Sequence, residues 1–100
     1  MTIKLTKVLN AMTKCKNILW YTKDGDGANW PFYEFSVAMI EAELISSERV
    51  MKYWWKNLIL AGYLKKLNDV SAKTDPIKIA NRLGIDPPKP AVKEVVADGL

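Results

Sequence analysis

Val37-Ala-Met-Ile-Glu-Ala-Glu-Leu-Ile-Ser-Ser-Glu-Arg-Val-Met-Lys-Tyr-Trp-Trp-Lys-Asn-Leu-Ile-Leu-Ala-Gly-Tyr-Leu-Lys-Lys-Leu67 is the stretch on which the fold turns. It reads as two short helices joined by a Leu44-Ile45-Ser46-Ser47 turn, the second stopping at Ala61-Gly62. Ser46 or Ser47 supplies the cap of the second helix, because a short hydroxyl accepts from the free amides of a first turn. Glu48 suits the positive end of that helix, and Gly62 suits a left-handed exit. Val50, Trp54, Leu58 and Ala61 form an apolar stripe that Met51 and Trp55 widen. A face this wide should pack against both earlier helices or against a second subunit. Neighbouring residues lie about 100° apart around a helix axis. One of Trp54 and Trp55 is therefore expected at the edge of the core or in a dimer contact.

Upstream, Leu5, Val8, Leu9, Met12, Cys15 and Leu19 recur in steps of three and four, which predicts a first helix fading around Trp20 to Thr22. Thr2 or Thr6 could cap it, with Lys4, Lys7, Lys14 and Lys16 on its wet side. Lys23-Asp24-Gly25-Asp26-Gly27-Ala28-Asn29 reads as a loop. A calcium reading fails on register: counting Asp24 as position 1, position 5 is Ala28, position 6 is Asn29 and position 12 is Phe35. In Trp30-Pro31-Phe32-Tyr33-Glu34-Phe35, Pro31 suits a first helical turn, while Tyr33 to Phe35 could form a short strand. A helix from near Pro31 or Ser36 is the preferred reading.

Downstream of Gly62 the period changes. Tyr63 to Leu67 reads as a strand, Asn68 to Pro76 as a polar turn, and Ile77-Lys78-Ile79-Ala80 as a second strand of period two. The alternative is a short helix from Pro76 to Leu83, since Asp75-Pro76 is also a helix start. Asp86-Pro87-Pro88-Lys89-Pro90 opposes both helix and ladder. The chain thus divides into a domain over 1–85 and a proline-rich tail over 86–100, whose closing Ala91 to Leu100 reads as a mobile segment or a small docking helix.

The 100 residues are 49% hydrophobic and 26% charged, a balance that favours one folded domain over disorder. No apolar run approaches the roughly 20 residues of a membrane span, and Met1 to Lys7 lacks the pattern of a secretory leader. A lone Cys15 excludes an internal disulfide and suits a reducing compartment, so a cytoplasmic location (the host's, for a viral protein) is expected. Histidine is absent, which removes the usual proton-transfer group and zinc ligand. With one Cys as well, no thiolate zinc cluster and no Cys-His or Ser-His-Asp system can be built. The expectation is a non-enzyme without metal or cofactor; a carboxylate hydrolase finds no acid pair at credible spacing. Net charge is +4, and thirteen of the fifteen bases are Lys.

Ala42, Ile45, Ser46, Ser47, Val50 and Trp54, followed by Leu58 and Ala61-Gly62-Tyr63-Leu64, resemble the winged helix-turn-helix pattern of small prokaryotic and phage regulators. In that family a helix ending in Ala precedes a turn Ile, a polar cap, a core Val five residues after the Ile, and an Ala-Gly-aromatic-Leu exit into the wing. The resemblance covers residues 37 to about 80, with Leu5 to Leu19 in the place of the first helix. Two departures are Leu44, where the turn usually has Gly, and a third helix one residue longer than the common form. The fold class it implies is mainly α with a small β-hairpin: three helices plus a wing. The function it implies is DNA binding in transcription control or replication, by a possible homodimer and with a virus or mobile element as a possible source.

On that expectation the third helix is the reading head. Arg49, Lys52 and Lys56 project from one side at steps of three and four. Tyr53 and Asn57 border this row, and Asn or Arg can bond a purine edge twice. Ser46, Ser47 and the helix amides could hold a phosphate, while Lys65, Lys66 and Lys73 would carry the wing onto the backbone. Such lysines are also what an ordinary solvated face looks like. Trp20, Trp30, Trp54 and Trp55 could stack on unpaired bases, although core and interface burial is the preferred reading. The rival function is a protein-interaction module on the same fold, anchored by an exposed Trp55 with Met51.

Overall fold

The computed structural model describes residues 4–44 and 47–88. In chain order its elements are α1 (Leu5–Thr13), β1 (Asn29–Pro31), α2 (Phe32–Glu41), α3 (Glu48–Ala61), β2 (Leu64–Asn68), β3 (Ser71–Thr74) and α4 (Pro76–Leu83). The strands make one antiparallel sheet in the order β1-β3-β2. Among the described residues this is a small α+β domain with a fourth helix and a third strand beyond those expected.

Helices α2, α3 and α4 end in the same way, through a crossed pair of backbone bonds. Glu43 N–H donates to Ile40 O and Leu44 N–H to Met39 O; Gly62 and Tyr63 repeat the pair onto Ile59 and Leu58, and Gly84 and Ile85 onto Asn81 and Ala80. This closure needs a left-handed residue just past the helix. Gly62 (φ 88°) and Gly84 (φ 72°) meet the need without cost, whereas α2 uses Glu43 at φ 58°. The strained position in the α2–α3 turn is Glu43, one residue before the Leu44 that the family pattern singles out. Helix starts are more varied. Asp75 accepts Lys78 N–H at 3.0 Å, Pro31 precedes α2, and Ser47 precedes α3 without a side-chain capping bond. Thr6 lies inside α1 and does not cap it, and Thr2, Ile45 and Ser46 lie outside the described residues.

Helix α1 stops at Thr13, well short of Trp20. Thr13 Oγ1 bonds back to Asn10 O at 3.0 Å, and the polar Lys14, Lys16 and Asn17 give a further turn little to bury. Tertiary bonds then claim the connection. Trp30 Nε1–H donates to Leu19 O at 3.0 Å. Thr74, buried in β3, donates its hydroxyl to Trp20 O at 2.6 Å and accepts Ala28 N–H at 2.8 Å. A buried hydroxyl satisfied on both sides in this way ties the loop to the sheet.

The expected second strand over Ile77 to Ala80 is helical, and the alternative helix Pro76–Leu83 is what forms. Asp75 and Pro76 together set the helix start, and burial of Ile79 and Ala80 with exposure of Ile77 follows a helical rather than a two-residue period. The true hairpin partner is Ser71–Thr74, which pairs Lys65 with Lys73 and Lys66 with Ala72. Asn68 Oδ1 accepts Val70 N–H at 2.9 Å to tighten the turn, so the hairpin tip is short instead of reaching Pro76.

The core gathers Val8, Leu9 and Met12 of α1, Trp30, Phe35 and Met39, Leu58, Leu64 and Ile79. Trp55 packs its ring against Phe32 and Phe35, both at 5.4 Å between centroids. The inward line of α3 is Met51, Trp55 and Leu58. It is rotated by about one residue from the predicted stripe, which leaves Val50 and Trp54 half-buried on its flank and Ala61 exposed. Trp20 and Trp30 are core residues as well.

Candidate nucleic-acid interface

Burial of Met51, Trp55 and Leu58 fixes what the rest of α3 can present. With about 100° per residue, the line opposite them is Arg49, Tyr53, Lys56 and Leu60, and all four are exposed. Tyr53 is 62% and Leu60 73% exposed, and they are the large apolar side chains that α3 turns to solvent. The predicted basic row thus survives in Arg49 and Lys56, with Tyr53 at its centre instead of its border. Leu60 was missed, since an apolar residue near a helix end gives no sign of its direction until the stripe is centred. Asn57 sits half-buried on the far flank.

Lys52 lies on the other flank and is bound to Glu48 at 2.9 Å, with both side chains well exposed. The hydrogen bond from Lys52, then its charge, holds the Glu48 carboxyl below its ordinary range. Glu48 also occupies the first turn of α3, where its charge opposes a phosphate at the helix amides. Ser47 stands exposed at that end with a side chain free of capping duty, and Ser46 is outside the described residues.

The strand lysines divide by register. Lys65 and Lys73 are direct cross-strand partners on the outer face of the sheet, with Asn29 next in the same row. Like charges opposite one another are unfavourable in a sheet, so an anion between them would relieve the pair. Lys66 has the parity of buried Ala72 and pairs with Asp69 at 3.6 Å. Lys65, Lys66 and Lys73 border a groove with Ile59 and Gly62, and Asp26 and Asp75 line it as well. Ile59, one helical turn beyond Lys56, is the α3 residue that reaches this groove. Arg49, Lys56, Lys65 and Lys73 form no ion pair with any described carboxylate.

One residue outside the predicted set holds this surface in place. Lys78 of α4 donates its ammonium to Ala61 O at the C-terminal end of α3 and lies 5.2 Å from the centroid of the Tyr63 ring. Asp75 N–H donates to Tyr63 O at 2.9 Å from the same side. Helix α4 therefore clamps the junction between α3 and β2. No spacing rule links Lys78 to Ala61, so no local signal points to it.

The proposed anchor pair is corrected: Trp55 is 9% and Met51 4% exposed, and neither can lead an interaction. Apolar exposure lies instead along Tyr33, Ile40 and Val70, around a groove that Pro31, Phe32 and Met51 also line. Among the described residues no helix is long and apolar enough to cross a membrane. No protein-family model matches the chain, and neither does any curated protein or solved structure.

Proposed function

We propose that this chain is a duplex-DNA-binding domain of the winged helix-turn-helix type, acting in transcription control or replication. The order helix, strand, helix, helix, hairpin supports the reading, with α3 as the groove helix and β2–β3 as the wing. The single observation that carries it is the exposed outward line of α3, Arg49-Tyr53-Lys56-Leu60, together with the cross-strand Lys65–Lys73 row, whose bases pair with no described carboxylate. Arg49 and Lys56 would meet base edges and phosphates, and Lys65 and Lys73 the backbone. Lys52 and Lys66, each already paired with a carboxylate, contribute less.

The test is retention of mixed-sequence duplexes by the full chain and by the double variant Arg49→Glu, Lys56→Glu. Both positions are exposed, so the fold should persist. Affinity should fall by more than about tenfold, roughly 1.4 kcal/mol. Equal retention by the variant would transfer weight to the rival, a protein-interaction module. Its surface would be the apolar groove beside Tyr33, Ile40 and Val70.

A further inference from the structure

Tyr53 and Leu60 pose a problem that phosphate contact does not solve. A helix that only neutralises backbone charge has no use for two large apolar groups on its outward face, Tyr53 between Arg49 and Lys56 and Leu60 just beyond Lys56. Burying neither in the fold leaves both as apolar area available to a ligand. Tyr53 is also held in direction, its ring edge-on to Trp54 with centroids 6.2 Å apart.

Resting on the DNA-binding reading, we infer that Tyr53 and Leu60 read thymine 5-methyl groups in the major groove. The thymine methyl is the apolar feature among the donors and acceptors of that groove. Phosphates and polar base edges give Leu60 little apolar surface to pack on. Seven residues separate the two side chains, so they lie about 10.5 Å apart along α3. That span covers about three base-pair steps of 3.4 Å, and the intervening Lys56 falls among the base edges between them. The preferred site should therefore carry thymines about three steps apart.

The experiment starts from the tightest-binding duplex selected from a random library by the full chain. That duplex is resynthesised with deoxyuridine for every thymine, which removes the methyls and keeps the pairing. A methyl moved out of water contributes about fourfold in affinity, about 0.8 kcal/mol, so two should give roughly tenfold or more. The variant Leu60→Ala, at an exposed position that leaves the core intact, should lose part of this thymine-over-uracil preference, with binding of the thymine duplex weakened more than that of the uracil duplex. Equal binding of both duplexes by the parent chain overturns the inference and leaves the DNA-binding reading standing. Failure to retain any duplex, at low salt and at all library sequences, overturns both.

Discussion

Replacing Gly27 by Ala should damage this fold more than its loop position suggests. A Cβ there would sit far inside van der Waals contact distance of the Thr74 carbonyl oxygen, with the Thr74 carbon at 3.0 Å and Lys73 Cγ at 3.1 Å. The Cβ position is fixed by its own backbone and the nearest atom it meets is backbone, so no side-chain rotation relieves the overlap. The loop would have to withdraw from β3, taking with it Ala28 N–H to Thr74 Oγ1 (2.8 Å), Thr74 N–H to Ala28 O (2.9 Å) and Thr74 Oγ1 to Trp20 O (2.6 Å). Losing two or three bonds of about 1 kcal/mol each, offset by the roughly 0.4–1 kcal/mol that Gly→Ala gains through the unfolded chain, leaves about 2 kcal/mol. In a domain of this size that lowers Tm by about 10–15 °C. Thermal and urea unfolding followed by circular dichroism measure it. Gly84→Ala is the control, since that site has open space around it and strain only from its φ of 72°. If Gly27→Ala costs no more than Gly84→Ala, the close approach of loop and strand is not a constraint on the fold.

Glu43→Gly should raise stability by about 0.5–1 kcal/mol, because a glycine occupies the left-handed region without the Cβ penalty; Leu44→Gly should lower it, since Leu44 packs against the core. Urea midpoints for the pair decide which residue bears the strain. Lys78→Met should cost about 1 kcal/mol by removing a C-terminal helix contact and a cation–π contact, and a loss within error would show that the clamp is ornamental. Glu48 has a folded carboxyl below its ordinary range, so its contribution is present above the unfolded value and disappears as pH falls through the lowered folded one. Glu48→Gln should erase that acid-side dependence in melts taken at pH 4.5 and below. The same change releases Lys52, and it should steepen the salt dependence of duplex binding by up to about one unit.

The sequence disclosed the parts of this fold that local chemistry decides. Gly62 marked the end of α3, Pro31 the start of α2, and the outward row of α3 held Arg49 and Lys56 as its spacing implied. Three features depend on partners distant in the chain. Ser71–Thr74 became a strand because β1 and β2 flank it, although Ser-Ala-Lys-Thr alone reads as turn. Residues Cys15 to Trp20 left the expected helical register, and Trp30 and Thr74 bond the carbonyls of Leu19 and Trp20 there. The α3 stripe turned by one residue because Phe32 and Phe35 offer Trp55 an aromatic pocket, while Trp54 has the Tyr53 ring beside it. The choice between strand and helix over Pro76–Leu83 was open on period alone. The Asp75 cap on Lys78 N–H, Pro76 in the first turn and the burial of Ile79 and Ala80 together go with the helix.

That last element bears on the interface as well as on the fold. An 8-residue helix would be marginal by itself, yet α4 both closes the core through Ile79 and grips the C-terminal end of α3 through Lys78. Loosening it should blur the direction of the Arg49-to-Leu60 line without altering any residue on that line.

The most direct test is the equilibrium affinity of the full chain for duplex DNA across a salt series. Four cations that pair with no described carboxylate, Arg49, Lys56, Lys65 and Lys73, predict a log–log slope of about −4, falling toward about −2 in the Arg49→Glu, Lys56→Glu variant. A slope near zero, or no duplex bound even at low salt, would contradict the account.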